Sequence, residues 1–401
     1  MSSTTSESDT IQAPSRSRFS IAKLRSEEEI TALREDWQGL TEIIPDCPFF
    51  LTWEWISTWW RYLGVNNELW LLTARDTDDH LAGLAPWMRG HRKVGPITFR
   101  WLSFIGSGLA RPAHLDIIAR PGEEEILSAA FLQYLQNHRG EWDVLVLEGL
   151  RQRSPLVPLL SVRQGKCARR QPVKCAFVSL PTSWETFQQD CMTAKLRKTI
   201  RYYERRLEKH APGKVVFLSA SSESDLDAAV EFLIRNSRRL FRQRGFESSF
   251  EDHAFVSFYH NMARIALQQG YLRFYQLKVD DQIIAVQSCF RYKEIVYGYQ
   301  TAFDSDWGKY SPGQQLLAHV FREAIREKAG EVDMMHGDTD YKSAWASDVR
   351  QDAHILYALN WWGKLWLLGI NLVNGIIFLS RKVLPESMRQ KINRRLARNL
   401  S

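Results

Sequence analysis

The chain has 401 residues, 44% of them hydrophobic, and 15 tryptophans, enough to bury two or three packed cores. Its formal charge of +7 is modest for that length and points to an anionic partner without specifying nucleic acid. Five scattered cysteines with no C-x-x-C spacing exclude a zinc ribbon, a thiol redox pair and a disulfide framework, so the chain reads as a protein of the reducing cytosol and no metal is expected.

Residues 1–18 are rich in Ser and Thr and hold no apolar run, so they read as disordered rather than as a signal peptide. Phe19–Leu24 suits a first strand, and Ser26 with Glu29 forms a capping box for a helix running toward Leu40. Pro48-Phe49-Phe50 and Trp53 precede an aromatic helix, on which Trp55, Trp59 and Tyr62 share one face; such a stripe is core or the wall of a ligand site. Glu68–Arg75, the Asp78-Asp79 turn and Leu81–Met88 predict a strand pair. Phe99–Gly108 predicts a strand and a glycine-bearing loop, with Ser103, Ser107 and His114 nearby but no G-x-S-x-G elbow, which argues against a serine hydrolase. Pro121-Gly122-Glu123-Glu124 opens a helix that leads to a strand at Trp142-Asp143-Val144, and Gln152–Lys174 reads as a loop-rich connector.

Ser183–His210 is helical and basic. Leu196, Ile200, Tyr203 and Leu207 form its apolar stripe, flanked by Lys198, Arg201, Tyr202 and Arg205, which are either a solvated face or a cationic wall for phosphates or an acidic acceptor. Helices follow at Leu226–Gly245 and Phe250–Gly270. Leu272–Val279, the Asp280-Asp281 turn, Ile283–Phe290 and Ile295–Thr301 predict three strands. Ser311-Pro312-Gly313-Gln314 then predicts a capped helix start, with Pro at the first position and an S-x-x-Q box. A helix N-terminus placed after a strand can receive a pyrophosphate, with Lys309 and the open backbone at Gly313 assisting. The helix stops at Gly330, Val332–His336 is a short buried strand leading into Gly337, and His354–Ala358 is a last strand.

The two halves repeat one order of elements. Strand, Asp-turn and strand recur, a Pro-Gly helix start recurs, and an Asp-bearing strand follows 22 positions after Pro121 and 21 after Pro312. The division expected is residues 1–18 disordered, 19–180 and 181–358 as two domains, and 359–401 as a tail. That tail joins an apolar segment, Trp361–Ser380, interrupted by Lys364, Asn371 and Asn374, to a segment with seven basic residues and one acidic, Arg381–Ser401. The apolar segment is marginal as a membrane span. The pattern suits attachment to an anionic membrane surface, or a packed helix with a solvated tail.

Pro48-Phe49-Phe50 with Trp53, Leu196-Arg197-Lys198 through Leu207-Glu208-Lys209, Ser311-Pro312-Gly313 with Leu316, and Asp333, Gly337 and Tyr341–Trp345 together resemble the GNAT-type acetyltransferases of the CelD/BcsL kind, associated with cellulose and exopolysaccharide synthesis. These are similar to the FemABX aminoacyltransferases. The resemblance covers roughly residues 19–345 and implies an α/β (α+β) fold of two tandem GNAT-like domains, each a mixed, mostly antiparallel sheet flanked by helices. It implies transfer from acetyl-CoA or another acyl-CoA to an amine or hydroxyl of a small-molecule or glycan acceptor. Tyr299, Gln300 and Thr301 would lie beside the acyl arm, and Lys309, Ser311, Gly313 and Gln314 at the phosphates. The family signature Q/R-x-x-G-x-G/A is not met, because Gln314-Gln315 follow Gly313.

The chemistry needs a base for the acceptor and an acid for the leaving thiolate. Asp338, Asp340 or His336 supplies the base, Tyr341 the acid, and Lys342 a hold on an anionic acceptor group. Two other readings stand beside this one: a FemABX-like transferase using aminoacyl-tRNA, the only case in which nucleic acid is expected, and a non-catalytic membrane-associated partner of a polysaccharide synthase. The protein is expected in the cytoplasm, with a peripheral hold on the inner membrane face through its tail.

Overall fold

The computed structural model describes residues 18–94, 97–162, 168–337, 340–346, 348–358 and 360–367. Among the described residues thirteen strands form one open sheet. They are β1 (Ser20–Lys23), β2 (Glu68–Arg75), β3 (Leu81–Val94), β4 (Ile97–Phe104), β5 (Ile118–Ala119), β6 (Val144–Arg151), β7 (Ala168–Ser179), β8 (Val215–Ser219), β9 (Leu272–Val279), β10 (Gln282–Tyr292), β11 (Ile295–Phe303), β12 (Glu331–His336) and β13 (Asp348–Ala358). Their order is β1-β2-β3-β4-β6-β13-β7-β12-β11-β10-β9-β8, with β5 beside β3.

The repeat seen in the sequence is a repeat of topology. In the first half β2, β3 and β4 are antiparallel, and β4 then pairs parallel with β6 across the helix Glu124–Asn137. In the second half β9, β10 and β11 are antiparallel, and β11 pairs parallel with β12 across the helix Pro312–Arg326. A helix between parallel neighbours supplies the crossover such pairs require. The sheet is mixed and mostly antiparallel, as expected. The halves also exchange strands: β13, which follows β12, lies between β6 and β7, and β7, which follows β6, lies between β13 and β12.

Several elements differ from the sequence reading. The stretch Gln152–Lys174 is not a loop-rich connector: it holds the helix Leu156–Val162 and the start of β7. Its Pro172 is tolerated because β7 is paired there with β13 but not with β12, whose pairing begins at Cys175. The first helix does open with the capping box at Ser26, but it breaks at Leu33 into Glu27–Ala32 and Arg34–Ile43. The strands β5 and β8 and the helix Asp340–Trp345 are additional.

The aromatic stripe is core at the seam between halves. Trp55 is fully buried against Phe258 at 5.1 Å, Phe49 stacks on Phe290 at 4.2 Å, and Phe50 meets Tyr297 at 5.5 Å. Aromatic pairs of this kind are worth about 0.5–1.5 kcal/mol beyond the area they bury. Trp59 is buried and its Nε1 donates to Ser107 O at 3.2 Å.

Candidate active site

Two bulges shape the centre of the sheet. Between Cys289 and Ser288 of β10, β11 advances from Gly298 to Gln300, which leaves Tyr299 as an extra residue. A bulge bends its strand. Pairing of β11 with β12 ends at Tyr297↔Asp333, although β11 continues to Phe303 and β12 to His336. The two strands splay apart beyond that point.

The second bulge lies in β12. Asp333 pairs with Phe177 and His336 with Cys175, so β12 advances three residues while β7 advances two, and Met335 takes φ +62°. Residues three apart on a regular strand point to opposite faces. The extra residue brings Asp333 and His336 to the same side, where both join one cluster.

That cluster spans both halves. His114, from the loop before β5, has Nε2 2.8 Å from Asp333 Oδ2 and Nδ1 3.1 Å from Asp352 Oδ1, and its backbone N–H donates to Asp352 Oδ2 at 3.0 Å. His336 Nε2 lies 3.0 Å from Asp352 Oδ2. Asp333, Asp352 and His114 are buried. A neutral imidazole has one N–H, so a ring that bridges two carboxylates is an imidazolium. Burial opposes charge on His114, but the attraction of Asp333 and the hydrogen bonds to both carboxylates outweigh it, and its pKa is raised to about 9. Burial likewise opposes charge on the carboxyls, yet His114 keeps Asp333 below the usual range, and His114 and His336 hold Asp352 well below it. The Sγ of Cys175, the ring of His114 and the carboxyl of Asp352 lie within 4.8 Å of one another. Since His114 already bridges two carboxylates, the set is a hydrogen-bonded ion cluster rather than an open ligand set.

The mouth of the splay holds several of the expected residues. Tyr299 is half-buried and its hydroxyl donates to Ala110 O at 2.7 Å; burial raises its pKa well above the ordinary value. Gln300 is half-buried opposite Ser288, and the exposed Thr301 donates to Val286 O at 3.2 Å. Lys309 is exposed on the turn Ser305–Tyr310, its Nζ 5.0 Å from the Tyr310 ring. The expected capping box is not formed. Ser311 sits at φ +52° and makes no side-chain cap, and Gln314 Oε1 instead accepts from Trp345 Nε1 at 2.6 Å. Left-handed backbone at the cap turns the Ser hydroxyl away from the amides an extended cap residue would reach. Pro312 has no N–H and the Gln314 and Gln315 amides both bond Ser311 O, which leaves Gly313 N–H without a partner among the described residues.

The helix Ala194–His210 is brought alongside. Its Leu196, Ile200 and Leu207 are buried, while Lys198, Arg201, Tyr202 and Arg205 are exposed. Arg206, which the sequence reading did not single out, donates to Lys309 O at 3.0 Å and ties this helix to the turn before Pro312. A groove of about 700 Å³ lies between this helix, β8 and the start of the helix Pro312–Arg326, lined by Glu204, Arg205, Glu208, Lys209, Phe217 and Gln315 among others.

Past β12, Lys342 Nζ donates to His336 O at 2.7 Å and Met335 O at 3.3 Å, and burial lowers its pKa. Tyr341 is exposed. Asp340 opens the helix Asp340–Trp345; its side chain and the whole of Asp338 lie outside the described residues. Trp345 is buried and stacks on Phe321 at 5.0 Å, a packing role. The structure thus joins His336 and Lys342, and adds His114, Asp333, Asp352 and Cys175. The sequence signal for Asp333 is a lone carboxyl inside an apolar strand. Nothing in the sequence marks Asp352 or Cys175.

Residues 194–343 match the family described as Acetyltransferase (GNAT) domain. No curated protein matches the chain. Among solved structures, the chain is similar to FemX, with 10% identity over 85% of this chain and 98% of that one and a TM-score of 0.57. It is also similar to a conserved protein of unknown function from Bacteroides thetaiotaomicron, with 9% identity over 84% of this chain and 100% of that one and a TM-score of 0.50. At such identities the likeness is one of fold. Residues 194–343 are thus similar to a GNAT acetyltransferase domain, and the fold of the whole is similar to that of FemX.

Proposed function

We propose that the chain is an acyltransferase that moves an acetyl or other acyl group from acyl-CoA to an amine or hydroxyl of a small-molecule or glycan acceptor in polysaccharide or cell-envelope synthesis. The observation that carries the reading is the splay of β11 from β12 at the Tyr299 bulge, within the stretch that matches the GNAT domain. The acyl arm would enter beside Tyr299, Gln300 and Thr301. The pyrophosphate would meet the Gly313 amide beside Ser311 and Gln314, with Lys309 near, and Lys198, Arg201, Tyr202 and Arg205 would face the anionic parts of donor or acceptor.

In this scheme the acceptor heteroatom attacks the thioester carbonyl and its proton passes to His336 Nδ1, which has no partner among the described residues. The tetrahedral adduct collapses and the CoA thiolate leaves, taking a proton from Tyr341. Lys342 holds the end of β12 through the carbonyls of Met335 and His336 and would offer its remaining N–H to an acceptor anion. Asp338 and Asp340, which follow His336 closely in the sequence, are the alternative carboxylate bases. The test is calorimetric titration with acetyl-CoA and longer acyl-CoAs, with release of free thiol as the readout of transfer. Absence of binding by any acyl-CoA would overturn the reading.

The exposed cations of the helix Ala194–His210 and the departure of the Gly313 loop from the family signature favour one alternative, a FemABX-like transfer from aminoacyl-tRNA. Salt-sensitive tRNA binding without acyl-CoA binding would select it. A non-catalytic partner of a polysaccharide synthase would bind neither. Among the described residues no helix is long and apolar enough to cross a membrane. The tail proposed to hold a cytoplasmic protein on anionic lipid lies largely outside them, beyond residue 367. Co-sedimentation with anionic liposomes, for the full chain and for one ending near residue 359, tests that attachment.

A further inference from the structure

We propose that His114, contributed by the first half, is a positioning residue for His336: by gripping Asp352 it holds His336 in the tautomer that bears its proton on Nε2 and its lone pair on Nδ1. The proposal rests on the reading of His336 as the base.

The grip is geometric. Asp352 accepts the backbone N–H of His114 and His336 Nε2–H on Oδ2 and the His114 ring on Oδ1. Three donors from two sides leave the carboxylate no rotational freedom. Replacing the His114 side chain removes the ring, which is the partner these contacts give Oδ1, and leaves both remaining donors, the residue-114 backbone N–H and His336 Nε2–H, on Oδ2. The His114 ring is itself pinned at its far end by Asp333, whose other oxygen accepts the Met335 N–H at 2.7 Å. His114 lies at φ +61°, in the left-handed region that favours glycine. A backbone held there by the surrounding structure aims both its own N–H and its ring at one carboxylate.

The elements packed on His336 agree with this arrangement. Asp352 and His354 face it from β13, the His354 ring 6.2 Å away, and Glu148 on β6 acts electrostatically on His354. His114 faces it from the first-half loop at 6.4 Å, Cys175 is its register partner on β7, and Lys342 holds its carbonyl. Asp352 is the only one of these that hydrogen-bonds its ring. The tautomer of His336 is therefore set by Asp352, and the orientation of Asp352 by His114.

Nitrogen-15 NMR of imidazole-labelled protein tests this without any substrate. In the wild type His114 should show two protonated ring nitrogens, and neutral His336 a single tautomer with bare Nδ1. In His114→Gln the His336 signals should become those of a tautomer mixture, and His114→Arg, which restores a cation, should not recover the single form. A folded His114→Gln protein with an unchanged single tautomer would overturn the proposal. So would a wild-type spectrum with one protonated nitrogen on His114, or with the proton of His336 on Nδ1, and this arm stands even where the variant fails to fold. Acyl-CoA titration of the same samples separates the two claims: the tautomer change without donor binding would sink the transferase reading and leave the positioning role intact.

Discussion

His114 Nε2 and Asp333 Oδ2 lie 2.8 Å apart although 219 positions separate them in the chain. One comes from a loop of the first half and the other from the central strand of the second. The contact is the charged part of the seam, as the stack of Phe49 on Phe290 is its apolar part. The candidate site accordingly belongs to neither half alone.

Removal of the imidazolium should be costly. His114→Ala leaves Asp333 and Asp352 buried, with Arg350, 3.8 Å from Asp333, and Lys342 as cations acting on that carboxyl. Breaking a buried pair from one side costs about 3–5 kcal/mol. Urea denaturation of the variant should show a loss of that size, and a loss below about 1 kcal/mol would mean that water reaches the carboxylates.

Stability should fall at alkaline pH. The His114 pKa is raised from its ordinary 6.5 to about 9 in the folded protein, so its contribution is complete below 6.5 and is lost as pH rises through 9. Burial raises Asp116 to about 7, so its own loss of stability runs from 3.8 upward and is complete near 7. The window from about 7 to 9 thus belongs to His114. A melting curve series across it should slope downward in the wild type and flatten in His114→Gln.

Gly149 should resist substitution. It lies at φ +65° in the β6 bulge opposite β13, and a Cβ there would meet His336 Cε1 at 3.0 Å. Gly149→Ala combines left-handed strain with displacement of His336, a cost of about 1–3 kcal/mol from the backbone alone. Transfer activity should fall further than stability predicts, whereas Gly140→Ala, where a Cβ meets nothing within 4 Å, should change neither.

Gly313 offers the opposite case. A Cβ there would touch Phe303 Cδ1 at an ordinary 3.6 Å, so Gly313→Leu should fold. Its side chain would crowd the Gly313 amide, uncommitted among the described residues, and should weaken acyl-CoA binding at least tenfold by calorimetry. Unchanged affinity in the folded variant would move the phosphate site elsewhere.

Tyr341→Phe should hold stability within about 0.5 kcal/mol, as exposed substitutions do. Turnover should drop if its hydroxyl is the acid. Lys342→Ala removes the tether to the carbonyls of Met335 and His336. It should therefore lower turnover more than it raises the KM for acyl-CoA. Equal losses of stability and activity in both variants would make the pair packing residues.

The sequence by itself determined the elements and their repetition. Period-two alternation in Leu272–Val279, the Asp280 turn, the helical spacing of Leu316, Val320 and Ala324, and the paired Pro-Gly helix starts are local signals, written in adjacent residues. His336 and Lys342 were legible as a candidate base and a candidate cation near a strand end for the same reason. Tertiary structure alone decided three things. It decided the exchange of β7 and β13, because pairing partners more than a hundred positions apart leave no periodic trace. It decided the bulges at Tyr299 and Met335, because an extra residue shows only against the strand opposite. And it decided the cluster of His114, Asp333, Asp352 and His336, since a buried charge is stable only beside the partner the fold brings to it, and that partner lies on another strand.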